Sequence, residues 1–184
     1  MTPALIPPPL SLYVHLPWCV RKCPYCDFNS HAGKGALPFD DYVDALVRDL
    51  EHDLPLVWGR TVHSVFFGGG TPSLFPPEAI DRILQAASAR LRFAPDAEIT
   101  LEANPGTAEH GRFDGYRAAG VNRISFGIQS FDDGCLQRLG RIHDSVEAAA
   151  AVKLAQDAGF DNLNLDLMYA LPGQDLAMAA HDLE

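Results

Sequence analysis

LSLYVHLPWCVRKCPYC, residues 10–26, is the stretch that decides the fold. Its first part, Leu10–Leu16, has the aliphatic, β-branched and aromatic content of a strand. Its second part brings Cys19, Cys23 and Cys26 into a CxxxCxxC pattern. The sequence therefore predicts a strand that leads directly into a cysteine-rich loop.

Beyond this segment, predicted strands alternate with predicted helices. Apolar residues at spacings of three and four predict helices, and short β-branched or apolar runs predict strands. Strands are expected at 63–67, 98–102, 123–127 and 162–168, and helices at 40–54, 76–90, 146–158 and 174–184, with a short helix that closes at Gly120. This alternation implies βαβ units and a parallel sheet.

We therefore expect an α/β fold, a partial (β/α) barrel with five βα units that is truncated before completion. Residues 1–9 form a Pro-rich lead, and residues 10–184 form the core domain. The chain stops near a predicted helix end, so we expect it to be the N-terminal portion of a larger protein.

Composition excludes several classes of function. The 184 residues carry a net charge of −10, which argues against binding to nucleic acid or to an acidic membrane surface. No apolar run is long enough for a membrane span, and the first ten residues lack the cations of a signal peptide. Four cysteines without an export signal favour the reducing cytoplasm.

Polar or glycine-rich motifs follow or end each predicted strand. They are the cysteine cluster, Gly68–Pro72, Glu102–Pro105, Gly127–Ser130 and, inside the fifth strand, Asp166. In a parallel α/β barrel the C-terminal ends of the strands form one active face, so these motifs should converge. A carboxylate in an apolar strand is costly unless it has a partner, which makes Asp166 a candidate site residue.

The cysteine spacing suits a metal centre. Three thiolates can hold three irons of a four-iron cluster and leave the fourth iron open to another ligand. A zinc site with His15 or His31 as the fourth ligand is the alternative. Inert buried cysteines are disfavoured, because Arg21 and Lys22 lie within the motif and favour thiolates.

The CxxxCxxC motif, with Tyr25 before its last cysteine, resembles the radical S-adenosylmethionine (SAM) superfamily. Several further motifs are similar to its oxygen-independent coproporphyrinogen III oxidase-like group: Tyr13–Pro17, Gly68–Ser73, Glu102–Pro105 and Gly127–Phe131. Cys26–Phe28 and Leu139–His143 look most like the haem-chaperone branch of that group. The resemblance runs from about Leu10 to the end of the chain, and it implies a barrel of the radical SAM type.

This resemblance implies a set of cofactor-binding residues. Cys19, Cys23 and Cys26 would hold a [4Fe-4S] cluster, and Tyr13 and Tyr25 would pack against SAM or the cluster. Gly69, Gly70 and Thr71 belong to the motif that lets the backbone approach the amino-acid end of SAM, and Glu102 would bind the same molecule. Gln129, Arg141 and Asp166 match positions that contact a second SAM.

Several of these residues also have a purely structural interpretation. The glycine run could be a tight turn, Glu102 a solvated strand end, Tyr13 a core residue and Arg141 a surface cation. Cys135 is expected to be a small buried hydrophobe or a loop thiol. The histidines that could bind haem are more often structural; they are His15, His31, His63 and His143.

The resemblance implies a haem chaperone that binds haem as cargo and passes it to an acceptor protein. Its other implied partners are an electron donor for the cluster and, through the acceptor, transient contact with a membrane. Whether the chain is an enzyme stays open. The alternative is an oxygen-independent coproporphyrinogen III oxidase, but its motif adds a fourth cysteine where Phe28 stands here, and a longer segment precedes its motif.

Overall fold

The computed structural model describes residues 7–106 and 111–184, and the first six residues of the predicted Pro-rich lead lie outside this part. The described residues contain seven strands: β1 Leu10–Leu16, β2 Trp18–Cys19, β3 His31–Ala32, β4 Thr61–Gly69, β5 Arg92–Ala103, β6 Arg123–Gln129 and β7 Leu163–Leu167. The helices are α1 Phe39–Val57, a 3₁₀ helix Pro72–Leu74, α2 Pro77–Ser88, α3 Phe113–Ala119, α4 Asp133–Leu139, α5 Ser145–Asp157 and α6 Leu176–His181.

Five of these strands form one parallel sheet in the order β1-β4-β5-β6-β7. The predicted α/β fold with five parallel strands is therefore confirmed. β1 and β7 are the edge strands among the described residues. None of the helices in residues 7–106 and 111–184 is long and apolar enough to cross a membrane.

The two faces of the sheet have different roles. Val65, Phe67, Leu101 and Phe126 are buried and belong to a core that also contains apolar residues of α2 and α5. Alternate side chains point the other way, because successive residues of a strand face opposite sides. In the register of the sheet, Glu102 lies beside Ser125 on that second face. The core thus fixes the strands and leaves the polar residues on the opposite face.

The sequence located the five sheet strands but missed several smaller elements. β5 begins at Arg92 rather than Glu98, and its pairing with β4 shifts where Pro95 interrupts the strand, since proline has no N–H to donate. α4 was not predicted, because it is short and contains Gly134. Its start is marked by Asp132, whose side chain accepts a hydrogen bond from the Cys135 N–H at 2.7 Å.

Candidate functional site

The five polar motifs meet around one cavity of about 330 Å³. Most of the predicted site residues lie on its wall: Cys19, Cys23, Tyr25, Cys26, Gly69, Gly70, Thr71, Glu102, Gln129, Arg141 and Asp166. Tyr13 is the exception among the predicted residues. The cations Arg21, Lys22 and Arg141 line the same cavity as the carboxylates of Glu102 and Asp166, so ligand-binding groups of both signs face one space.

The cysteine loop starts from a small pair of parallel strands, in which Trp18 lies beside His31 and Cys19 beside Ala32. Cys19 is buried, and Cys23 and Cys26 are half-buried free thiols. The Cys26 N–H donates to the Cys23 carbonyl at 3.1 Å and makes a tight turn.

Within residues 7–106 and 111–184, no three His, Cys, Asp or Glu side chains are grouped closely enough to hold a single metal ion. In a four-iron cluster each thiolate binds a different iron. The feature of this chain that fits such a cluster is therefore a shared cavity lined by all three thiols.

Gly70 lies against the backbone of the chain itself. A Cβ at this position would lie 2.6 Å from the Trp18 carbonyl oxygen and 2.7 Å from that of Pro17. The Gly70 N–H donates to the Leu16 carbonyl, and the Thr71 N–H donates to that of Trp18, both at 2.8 Å. The glycine is thus needed where the end of β4 meets the entry to the cysteine loop, in addition to any role toward a ligand.

Glu102 is half-buried on the cavity wall and accepts a hydrogen bond from the Gly69 N–H at 3.3 Å. Burial raises the pKa of this carboxyl above its ordinary value, the Gly69 hydrogen bond opposes that shift, and the nearby charge of Asp166 adds to it. Gly69 itself has a φ of 119°, a conformation that favours glycine. Glu102 is therefore a partly desolvated acceptor held in place by the end of β4.

Arg141 is half-buried and joins three parts of the site, so the alternative of a surface cation is wrong. Its Nη2 donates to Asn104 Oδ1 and to the Gly127 carbonyl, both at 2.6 Å, and its Nη1 lies 3.6 Å from Cys23 Sγ. Its Nε is buried and has no partner among the residues that the structure describes. Because a guanidinium can only donate, this position calls for an acceptor atom.

Gln129 ends β6 with a φ of 75°, which is unusual for a residue other than glycine. Its carbonyl accepts a hydrogen bond from the Met168 N–H at 2.9 Å. Residues held in sparsely populated backbone conformations cluster at ligand sites. The backbone at this position is thus fixed by the neighbouring strand rather than by the preference of glutamine.

Asp166 is exposed, so the expected cost of burying its carboxylate does not apply. It lies on β7, which is an edge strand of the sheet among the residues that the structure describes. Asn164 Nδ2 donates to Asp166 Oδ1 at 2.7 Å, and Ser125 Oγ donates to Oδ2 at 3.3 Å. The carboxylate is therefore oriented by polar neighbours and remains accessible.

The two candidate tyrosines differ in position. Tyr25 lines the cavity, and burial raises its pKa, an effect that the charge of Arg141 opposes. Tyr13 is 56% exposed and stacks on Phe66. Burial of part of its ring and the charge of Glu102 both raise the pKa of Tyr13. Tyr13 therefore lies near the site but outside the lining of the cavity.

The histidines have mixed surroundings. His15 Nε2 donates to the Asn29 carbonyl at 2.8 Å, so its Nδ1 accepts from the Tyr13 hydroxyl at 3.3 Å. His31 and His63 are exposed. His143 is buried, and its Nε2 donates to the Ile128 carbonyl at 3.2 Å, while its Nδ1 has no partner within the described residues.

Cys135 is fully buried in α4 against Leu139 and Leu171. Burial raises the pKa of its thiol. Of the two expectations for this residue, the structure selects the small buried hydrophobe rather than the loop thiol.

Two residues of the site were not predicted individually: Asn104, which was noted only as part of the motif Glu102–Pro105, and Ser125. Asn104 Nδ2 donates to Thr71 Oγ1 at 2.9 Å, while its Oδ1 accepts from Arg141, so Asn104 links two candidate ligand residues. Ser125 lines the cavity from the middle of β6. Its signal was a hydroxyl residue between the apolar residues Ile124 and Phe126, at the alternate position that faces away from the core.

Comparison with known proteins shows the family to which the chain is similar. The family model of the radical SAM superfamily matches residues 13–184. The protein "Heme chaperone HemW" of Escherichia coli is 58% identical over 96% of the chain, and that of Haemophilus influenzae is 56% identical over 96%. Each match covers 47% of the relative, so the chain spans about half the length of the curated relatives that it matches.

Among solved structures, the chain is similar to the radical SAM enzyme coproporphyrinogen III oxidase (HemN) of Escherichia coli. The TM-score is 0.84 and the sequence identity 36%, over 95% of this chain and 40% of that chain. The predicted likeness to this group of proteins is thus confirmed in both sequence and fold.

Proposed function

This chain belongs to the radical SAM superfamily, and from that premise we propose that it is the cluster- and SAM-binding part of a haem chaperone. In this proposal the whole protein binds haem as cargo and passes it to an acceptor protein. The observation that carries the proposal is the likeness to bacterial haem chaperones along nearly the whole chain. Haem transfer breaks no covalent bond, so it requires affinity and release rather than catalysis.

The residues that would hold the [4Fe-4S] cluster are Cys19, Cys23 and Cys26. They are free thiols on the wall of one cavity, which supports the assignment. Arg141 Nη1 lies 3.6 Å from Cys23 Sγ, so a positively charged donor stands beside one of the candidate ligands. When bound, such a cluster supplies an electron to the sulfonium of SAM.

The residues that would hold SAM from the cavity wall are Glu102, Gly69, Gly70, Thr71 and Tyr25. Tyr13 would pack against SAM or the cluster from outside the cavity lining. Glu102 offers a partly buried acceptor that could bind the ligand amino group or a hydroxyl. The unpartnered Nε of Arg141 offers a donor for a carboxylate or another acceptor. Gln129, Arg141 and Asp166 line the same cavity, and we assign them to a second molecule of SAM on the resemblance to the oxidase group alone.

The proposal includes an electron donor for the cluster, a haem acceptor and, through that acceptor, transient contact with a membrane. We also propose that the protein is located in the cytoplasm, because all four cysteines are free thiols and a reducing compartment keeps thiols in that state. Nucleic acid is not a proposed partner, because the net charge of −10 opposes binding to phosphate backbones.

The second candidate function is oxygen-independent coproporphyrinogen III oxidation, which the structural likeness to that oxidase favours. Phe28 argues against it. Its side chain is 60% exposed and lines the cavity, where the oxidase pattern has a fourth cysteine. A phenyl ring can neither donate a proton nor bind iron, so this position lacks the chemistry of a thiol.

The test is anaerobic reconstitution of the natural protein that contains this chain. We expect about four irons and four sulfides per chain, which Cys19→Ala, Cys23→Ala or Cys26→Ala abolishes and the control Cys135→Ala preserves. Stoichiometric zinc without sulfide would contradict the cluster.

Haem titration should then show binding at micromolar concentration. With SAM and reductant present, coproporphyrinogen III should release no CO2. Robust release of CO2, or no binding of haem, would favour the oxidase instead. Formation of 5′-deoxyadenosine in the same reaction would show whether SAM is cleaved.

A further inference from the structure

We propose that Lys22 is a positioning residue that holds the two sides of the cysteine loop together through a strap, which consists of its hydrogen bonds to the Phe28 and Ser30 carbonyls. Its Nζ donates to the Phe28 carbonyl at 3.0 Å and to the Ser30 carbonyl at 3.1 Å. Lys22 precedes Cys23, whereas both carbonyls follow Cys26. The strap therefore closes a ring of backbone that contains two of the three candidate cluster ligands, and the role of that ring rests on the proposed function.

The strap lies in the middle of the loop, where no backbone–backbone hydrogen bond of the described residues links residues 20–22 to residues 28–30. At the base, the His31 N–H donates to the Pro17 carbonyl and the Gly33 N–H to that of Cys19, both at 2.8 Å. At the tip, the turn from Cys23 to Cys26 has its own hydrogen bond. Between base and tip, the two sides of the loop are held together by the ammonium of Lys22.

The chemistry of the lysine suits this role. An ammonium on a flexible stem has three donors and no acceptor, so one side chain can hold two carbonyls at once. Hydrogen bonds from a charged donor are stronger than neutral ones. His15 adds a third side-chain contact, because its Nε2 donates to the intervening Asn29 carbonyl. Three consecutive carbonyls after Cys26 are thus held by side chains.

Arg21 provides a matched control. It lies in the same loop, carries the same charge, is exposed and lines the same cavity, but it makes no hydrogen bond within the described residues. Replacing either residue by methionine removes one positive charge near the thiols. Only Lys22→Met also removes the hydrogen bonds of the strap. A difference between the two variants in iron loss or amide exchange therefore reports on those hydrogen bonds rather than on the charge.

The first readout is the rate at which an iron chelator removes iron from the reconstituted natural protein. Lys22→Met should lose iron at least about tenfold faster than Arg21→Met, since tenfold is about 1.4 kcal/mol, the low end of the value of a single hydrogen bond from a charged donor. Lys22→Arg, which retains charge and donors, should restore the rate to within about threefold of the unmodified protein. Equal rates for the two methionine variants would overturn the proposal.

The second readout needs no cluster. In the metal-free protein, hydrogen–deuterium exchange at the amides of Cys26 and Ser30 should be faster in Lys22→Met than in Arg21→Met, while the β-sheet amides stay unchanged. Unchanged exchange at both amides would overturn the strap. If the unmodified protein binds no cluster but Lys22→Met still accelerates exchange, the proposed function fails and the strap remains.

Discussion

Replacing Gly70 by alanine is expected to destabilise the chain strongly, because the new methyl group would meet backbone rather than flexible side chains. The Cβ would lie 2.6 Å from the Trp18 carbonyl oxygen and 2.7 Å from the Pro17 carbonyl carbon. Overpacking of this kind costs about 1–3 kcal/mol. The hydrogen bonds from the Gly70 and Thr71 amides would also weaken, each worth about 0.5–1.5 kcal/mol.

The expected loss is therefore about 2–6 kcal/mol in the free energy of unfolding, measured by urea denaturation with circular dichroism. Gly106→Ala is the control, because a Cβ there has no neighbour within 4 Å among residues 7–106 and 111–184, and its φ is not in the left-handed range. Its free energy of unfolding should change by about 0.5 kcal/mol or less. A Gly70→Ala variant as stable as Gly106→Ala would refute the steric argument.

This prediction also bears on how the glycine motif is tested. Cys19 directly follows Trp18, so moving the Trp18 carbonyl moves a candidate cluster ligand. A loss of SAM binding in a Gly70 variant would therefore not identify a ligand contact by itself. Glu102 is the cleaner residue for that question, since it points into the cavity and forms no part of the core.

Two further predictions concern pH. Burial raises the pKa of Glu102, so the contribution of this carboxyl to folding is present at low pH and is lost as the pH rises through its folded-state pKa. Glu102→Gln should therefore raise the free energy of unfolding at pH 8 but not at pH 4. The same substitution should weaken SAM binding measured by calorimetry. Burial and the charge of Arg141 lower the pKa of His143, so the folded chain should lose stability as the pH falls below about 6.5. His143→Gln should reduce the difference in urea midpoint between pH 7.5 and 5.5.

Either result can contradict the reasoning. A Glu102→Gln variant that is less stable than the unmodified chain at pH 8 would mean that the Gly69 hydrogen bond outweighs desolvation. An unchanged pH dependence in His143→Gln would mean that this histidine is not protonated on unfolding in that range.

Local pattern was sufficient for much of the fold. The strand at Leu10–Leu16 was predicted with its observed bounds, and the end of α3 at Gly120 agrees with a left-handed φ of 107°. Both depend on neighbouring residues alone. The start of β5 was missed, because the partner strand β4 extends it past Pro95. No single-sequence pattern reports such a partner.

By itself, the sequence determined the α/β class, the cysteine motif and the set of motifs that meet at one cavity, since these follow from apolar periodicity and from the position of polar residues at strand ends. Only the tertiary structure decided what each residue contacts. It turned Arg141 inward to Asn104 and Cys23, left Asp166 exposed on an edge strand, and set Gly70 against the Trp18 carbonyl. The physical reason is that such contacts join residues far apart in the chain, and their distances depend on how the whole sheet packs.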